Sequence, residues 1–224
     1  MLQNIFRFFR SHSQVWTALF TGILTAFTFM LYQVTKATNE TSRATQRAYL
    51  SFGDLTPSTA YISPDKKLKL AQAINVVWVN SGTTPARNAV TRANLQLWPL
   101  DPNALDGFDF HDLSIGAVVP IAIGPKGTGT ATLVAPTNLF ASQRESKGRL
   151  ISWGWVVYSD VFDGDPDRLT EYCTEIYEIA IPPDKEITDP TTPIGWHLQT
   201  CKQHNCYDQD CSDYAERVKE ARRK

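Results

Sequence analysis

Between Arg10 and Lys36 the chain carries no formal charge, and most of that interval, SHSQVWTALFTGILTAFTFMLYQVT, is apolar. Wound as a helix at about 1.5 Å per residue, Val15–Val34 reaches roughly 30 Å, the thickness of a hydrocarbon layer. Its Thr and Gln residues are tolerable there, because a helix satisfies its own backbone and hydroxyls can bond back to carbonyls. Trp16 and Tyr32 stand near the two ends, where amphipathic rings prefer the membrane–water boundary. We read residues 15–35 as a single transmembrane helix. The rival is a cleaved signal peptide, but such apolar regions run only about 7–15 residues, and Thr35-Lys36-Ala37 is a poor cleavage site.

The flanks add detail. Residues 1–14 form an N-terminal segment in which Ile5, Phe6, Phe8 and Phe9 stand beside Arg7 and Arg10. That mix suits the lipid headgroup layer, and a frayed terminus equally. Ala18, Gly22 and Ala26 recur every four residues, with Thr17, Thr21, Thr25 and Thr28 beside them. Such spacing lets two helices approach closely, which would give a homo-oligomer through the membrane, although small residues are also common in helices that do not pair. Residues 36–47 lack Gly and Pro and should continue the helix as a stalk with a thin heptad of small residues. Asn39-Glu40-Thr41 fits a glycosylation sequon, a triplet frequent by chance. Arg7 and Arg10 on one side nearly balance Lys36, Arg43 and Arg47 on the other, so charge leaves orientation open. The expectation is a short N-terminus inside and an exported domain.

About 175 residues follow the membrane run, enough for one domain with its own core. A net charge of −1 exerts no general attraction for nucleic acid, and no nucleic-acid partner is expected. From Tyr49 the hydrophobic period changes from that of a helix to two. Strands are predicted at 48–55, closed by Thr56-Pro57-Ser58, and at 68–80, 89–98, 113–123, 128–135, 149–160 and 169–181. A short helix is predicted at 137–146. Ile151, Trp153, Trp155 and Val157 share one face, which assigns both tryptophans to the core. Seven or so strands with little helix predict a two-layer antiparallel sandwich over residues 48–181. Residues 182–224 read as a Pro-rich linker and a cysteine-bearing tail, helix-prone from about Asp210.

The segment VVWVNSGTTPARNAVTRANLQLW resembles the strand–turn–strand of bacterial immunoglobulin-like adhesion and transport-accessory sandwiches, and IGPKGTGTATL resembles their later hairpin. QRAYLSF, WGWVVYSDVFDGDPDRLTEYC and HNCYDQDC are similar to a widespread group of uncharacterised bacterial single-pass membrane proteins. The resemblance implies an immunoglobulin-like β-sandwich behind an N-terminal membrane helix, seated in the bacterial inner membrane with its body in the periplasm. It supplies no catalytic residue.

Four cysteines remain: Cys173, Cys201, Cys206 and Cys211. An even count outside the cytoplasm favours disulfides, with three possible pairings, and a bridge from Cys173 would staple the tail to the sandwich. Free thiols are a second state. Zinc held by Cys201, His204, Cys206 and Cys211 is a third, although the usual two-residue spacing is missing. Asp160, Asp163, Asp165 and Asp167 offer oxygen ligands for calcium but lack the EF-hand order, and Asp, Gly and Pro are ordinary in a strand connection. The run Gly124–Thr130 lacks the P-loop order and reads as a turn. Asp109, His111 and Asp112 could carry acid–base or metal chemistry, against solvated loop charges as the simpler reading. No catalytic, cofactor-binding or metal residue is therefore assigned. The leading functional expectation is a membrane-anchored, non-enzymatic binding or scaffolding module of the cell envelope, contacting the bilayer and an unidentified protein. The alternative is a metal-dependent or other enzyme that uses His111 or the Cys-rich tail. A deep pocket at those residues would favour the enzyme, and an exposed apolar face the binder.

Overall fold

The computed structural model describes residues 13–62, 69–98, 108, 110–113, 118–135, 139–146, 148–162, 164–180 and 195–223. The chain divides into two compact units, Met1–Gln46 and Arg47–Lys224.

The first unit is the helix α1, Ser13–Gln46, which carries the apolar run and the stalk without interruption. Residues 1–12 of the N-terminal segment lie outside the described residues. The large apolar side chains from Val15 to Val34 are exposed. Hydroxyls of Thr21, Thr25, Thr28 and Thr35 each donate to the carbonyl four residues back at 2.8 Å. Their hydroxyl protons are engaged inside the helix, so across a seam along Ala18, Gly22 and Ala26 these hydroxyls could serve as acceptors beside the close packing of small residues.

Among the described residues the second unit holds eight strands in two antiparallel sheets: β1 (Leu50–Ile62), β2 (Lys69–Asn80), β3 (Ala86–Trp98), β4 (Val119–Ile123), β5 (Thr128–Val134), β6 (Arg149–Ser159), β7 (Arg168–Ala180) and β8 (Gly195–Thr200). One sheet runs β1-β2-β5 and the other β4-β3-β6-β7-β8. Two short helices, α2 (Leu139–Ser146) and α3 (Tyr214–Ala221), complete it. Ile74, Val76 and Trp78 from the first sheet share one core with Ala93, Leu95, Leu150, Val156, Tyr172 and Ile176 from the second. The period-two positions of β2 and β3 are what bury these side chains.

Polar and small residues set the register inside that core. Asn80, fully buried, donates to the carbonyls of Thr84 and Gly124 and accepts from the amides of Tyr49 and Gly82. One side chain thus ties the start of β1 to the turns after β2 and β4, with its four bonding positions filled. A Cβ on Gly154 would lie 2.2 Å from the carbonyl oxygen of Arg92 and 3.0 Å from the Tyr172 ring. Glycine at that point of β6 is what lets the neighbouring strand and the ring close in.

Several expectations are corrected. β1 runs through Thr56-Pro57-Ser58 to Ile62, because it is an edge strand and Pro57 removes no ladder bond on a second side. β4 begins at Val119, six residues after the expected start at Leu113. The stretch taken as linker and tail contributes β8, which pairs with β7 from Thr174↔Thr200 to Ala180↔Gly195. The compact unit therefore runs on past residue 181. Trp196 of β8 packs against the core and donates from Nε1 to the Leu55 carbonyl at 3.1 Å.

Trp153 and Trp155 are buried core residues as expected, but they do not lie between the two sheets. Leu150, Val156 and Tyr158 of β6 point into the core between the sheets, whereas Ile151, Trp153, Trp155 and Val157 lie on the opposite face. That outer face is buried too. Phe108, Phe110 and the cysteines Cys173 and Cys201 cover one half, while Cys211, Tyr214, Val218 and Ala221 cover the other. The tail thus forms a third layer over the five-stranded sheet.

Candidate functional site

The third layer is pinned covalently. Cys173 of β7 pairs with Cys201 at the end of β8, and Cys206 pairs with Cys211, each with a Cα separation of 5.3 Å. Of the three states open to the cysteines, the structure thus has disulfides, with the expected staple from Cys173. Both bridges remove thiolates from the zinc set Cys201, His204, Cys206 and Cys211, since a disulfide sulfur is not the anionic ligand zinc requires. Glu171, Cys206 and Cys211 bring their ligand atoms within 4.8 Å of one another, and two of these three are the bridged sulfurs.

Asn205 shapes the turn between the bridges. Its Oδ1 accepts from the Cys173 amide at 3.1 Å, and its Nδ2 donates to the carbonyls of Cys201 and Gln203. The preceding His204 takes a left-handed φ of 56°, which turns its ring onto Phe110 at a centroid distance of 3.9 Å. Asp208, also left-handed at 50°, accepts from the Leu169 amide and from Arg168 and so ties the tail to β7.

Charged groups sit between this tail and the outer face of the sheet. Asp112 accepts from Asn94 at 2.8 Å and from Trp155 Nε1 at 3.1 Å, and it pairs with Arg217. Arg217 Nε also faces Glu171 Oε1 at 3.5 Å, and Arg92 Nη1 bonds Glu220 Oε1 at 2.5 Å. His204 Nδ1 lies 3.3 Å from the other oxygen of Glu171, whose side chain is only 4 % exposed. A buried carboxylate thus stands behind an imidazole on one side and a guanidinium on the other. Arg217 is itself buried, so each charge relies on the others for solvation.

Outside this network lies a cavity of about 510 Å³. Phe108, Phe110, His111 and Asp112 form one wall, and His204, Ser212, Asp213, Glu216 and Arg217 of the tail form the other. The structure therefore brings together the two regions, FDFHD and the Cys-rich tail, that the sequence offered separately. His111 is exposed at the wall, and Asp109 lies outside the described residues. Glu171 and Arg217 were missed. Alternation in RLTEYCTE would have placed Glu171 opposite the core-facing Tyr172, but nothing in the sequence indicated that the opposite face is covered.

The remaining candidates resolve into structure. Asp165 and Asp160 face Arg47 at 2.7 and 3.5 Å, and Asp167 pairs with Arg222 at 2.7 Å. Guanidinium groups thus occupy carboxylates that calcium would need, and Asp163 lies outside the described residues. The run Gly124–Thr130 forms the turn Gly124–Gly127 between β4 and β5 and the start of β5, with Lys126 in a left-handed conformation at a φ of 53° and its amide on the Gly82 carbonyl.

Neither a family model, nor a curated protein, nor a solved structure matches the chain.

Proposed function

We propose that the chain is a membrane-anchored, non-enzymatic binding or scaffolding module of the bacterial cell envelope. In this reading an immunoglobulin-like sandwich is held on the periplasmic side of the inner membrane. The observation that carries it is α1, whose large apolar side chains from Val15 to Val34 are exposed along a helix long enough to cross a membrane. Large apolar side chains in such number need lipid or a protein partner to cover them. The two disulfides fit an oxidising compartment. The large apolar side chains exposed on the described β body are Tyr49, Tyr61, Val118 and Tyr207. In this reading the outer-face cavity serves as the binding surface. Two observations favour a second reading, an enzyme acting there: the cavity is lined by His111 and the tail, as that reading expects, and His204 is backed by the buried carboxylate of Glu171, an arrangement suited to a general base.

Proximity labelling from a tag fused to the C-terminus, in living bacteria, tests the leading reading. The expected result is a set of envelope neighbours that shrinks in a Ser212→Trp variant, whose larger side chain fills the cavity. Labelling confined to cytosolic proteins, or release of the full-length chain from membranes by alkaline carbonate, sinks the reading. Turnover of any compound that His204→Gln abolishes would favour the enzyme.

A further inference from the structure

We propose that the Cys206–Cys211 bridge is a thiol–disulfide exchange site that accepts electrons from a dithiol, and that Glu171 biases it towards the reduced form. The two bridges lie in different surroundings. Cys173 and Cys201 are 0 % and 6 % exposed, packed with Phe110 and Trp153. Cys206 is only partly buried, and its bridge spans five positions of sequence against 28 for the other. Beside it, Cys206 Sγ lies 3.2 Å from Glu171 Oε2.

A disulfide sulfur carries no proton. In the oxidised chain this approach sets two acceptors against each other, and no hydrogen bond joins them. On reduction Cys206 regains an S–H that can donate to the carboxylate, a charge-assisted bond available only to the dithiol. The spacing is held from several sides. The Glu171 amide donates to the Cys206 carbonyl at 3.1 Å, while His204 Nδ1 and Arg217 Nε flank the carboxylate. His204 and Ser212, which bracket the bridge in sequence, both line the cavity.

In the exchange, one thiolate of the dithiol attacks the Sγ of Cys206, the less buried of the two residues. The Sγ–Sγ bond breaks, and Cys211 leaves as a thiolate and takes up a proton. The second thiolate of the reductant then attacks its own sulfur in the mixed disulfide. Cys206 is expelled, takes up a proton and bonds to Glu171. Two electrons have passed from the dithiol, which leaves as a disulfide, and two protons have followed them.

The test uses the full-length chain in detergent micelles, equilibrated with graded ratios of reduced to oxidised dithiothreitol. Free thiols are then trapped by alkylation and located by mass spectrometry. Cys206 and Cys211 should become alkylated together at ratios where Cys173 and Cys201 stay protected. Glu171→Gln replaces a charged acceptor with a neutral one and should demand about a tenfold higher ratio for half-reduction. A fold merely loosened by the change would shift the opposite way, easing reduction of both bridges. Glu171→Asp, which draws the carboxylate back from the sulfur, should move the ratio in the same direction as Gln and serves if Gln does not fold. The proposal is overturned if Cys206–Cys211 stays oxidised until Cys173–Cys201 opens. It is equally overturned if the substitutions leave the half-reduction ratio unchanged or lower it.

Discussion

The Arg217 side chain is 10 % exposed and faces carboxylates of Asp112, Glu171, Asp213 and Glu220. Methionine at this position would keep much of the stem's packing while leaving Asp112 and Glu171 short of a counter-charge. Removing one member of such a buried group costs about 3–5 kcal/mol. Arg217→Met should therefore lower the unfolding free energy of the full-length chain in micelles, read from urea titration, by that amount. Asp167 gives a pH signature. Burial tends to raise its carboxyl, but hydrogen bonds from Arg222 and Ser159, with the charge of Arg222, hold it below its ordinary value. A depressed folded value means stability that is present above the unfolded value of about 3.9 and lost as pH falls through the folded one. Unfolding midpoints measured downward from pH 5 should consequently fall less steeply for Asp167→Asn than for the unmutated chain. Arg217 does not stand out in sequence, and Asp167 does so only as one of four carboxylates in a strand connection, where charges are normally solvated.

The tail is the element whose role changes most between sequence and fold. EARRK looks like a solvated helix end, yet Val218 and Ala221 of α3 pack against the outer face at Trp155. Arg222, just beyond the helix, donates to Asp167, Ser159 and the Asn88 carbonyl. Loop-closure entropy ranks the two staples that hold this layer. The Cys173–Cys201 bridge closes 28 positions and is worth about 3.5 kcal/mol, while Cys206–Cys211 closes 5 and is worth about 2. Double alanine replacement of the first pair should accordingly lower stability more than replacement of the second, as read by urea unfolding without reductant. β8 was hidden for a related reason. Its six residues alternate correctly, Trp196 and Leu198 inward and His197 and Gln199 outward. The prolines before it nevertheless made the whole stretch read as linker, because a short strand declares itself only through the neighbour it pairs with.

At the scale of the molecule, the division at Gln46/Arg47 separates an exposed apolar helix from a β body with its own core. A chain beginning at Arg47 behind a cleavable signal peptide should fold with an unchanged thermal midpoint. It should also appear in the soluble periplasmic fraction, whereas the full-length chain should stay with membranes; fractionation and circular dichroism check both. Sequence alone determined the helix, the strand positions in β2, β3, β6 and β7, and the fact that Trp153 and Trp155 share a face. Those features follow from local periodicity, which each segment carries within itself. Tertiary structure alone decided that this face looks away from the sheet-to-sheet core, which cysteines pair, and that FDFHD meets the tail around a cavity. Each of these depends on contacts between segments distant in the chain, and alternation along one strand states which side chains travel together but not what lies opposite them.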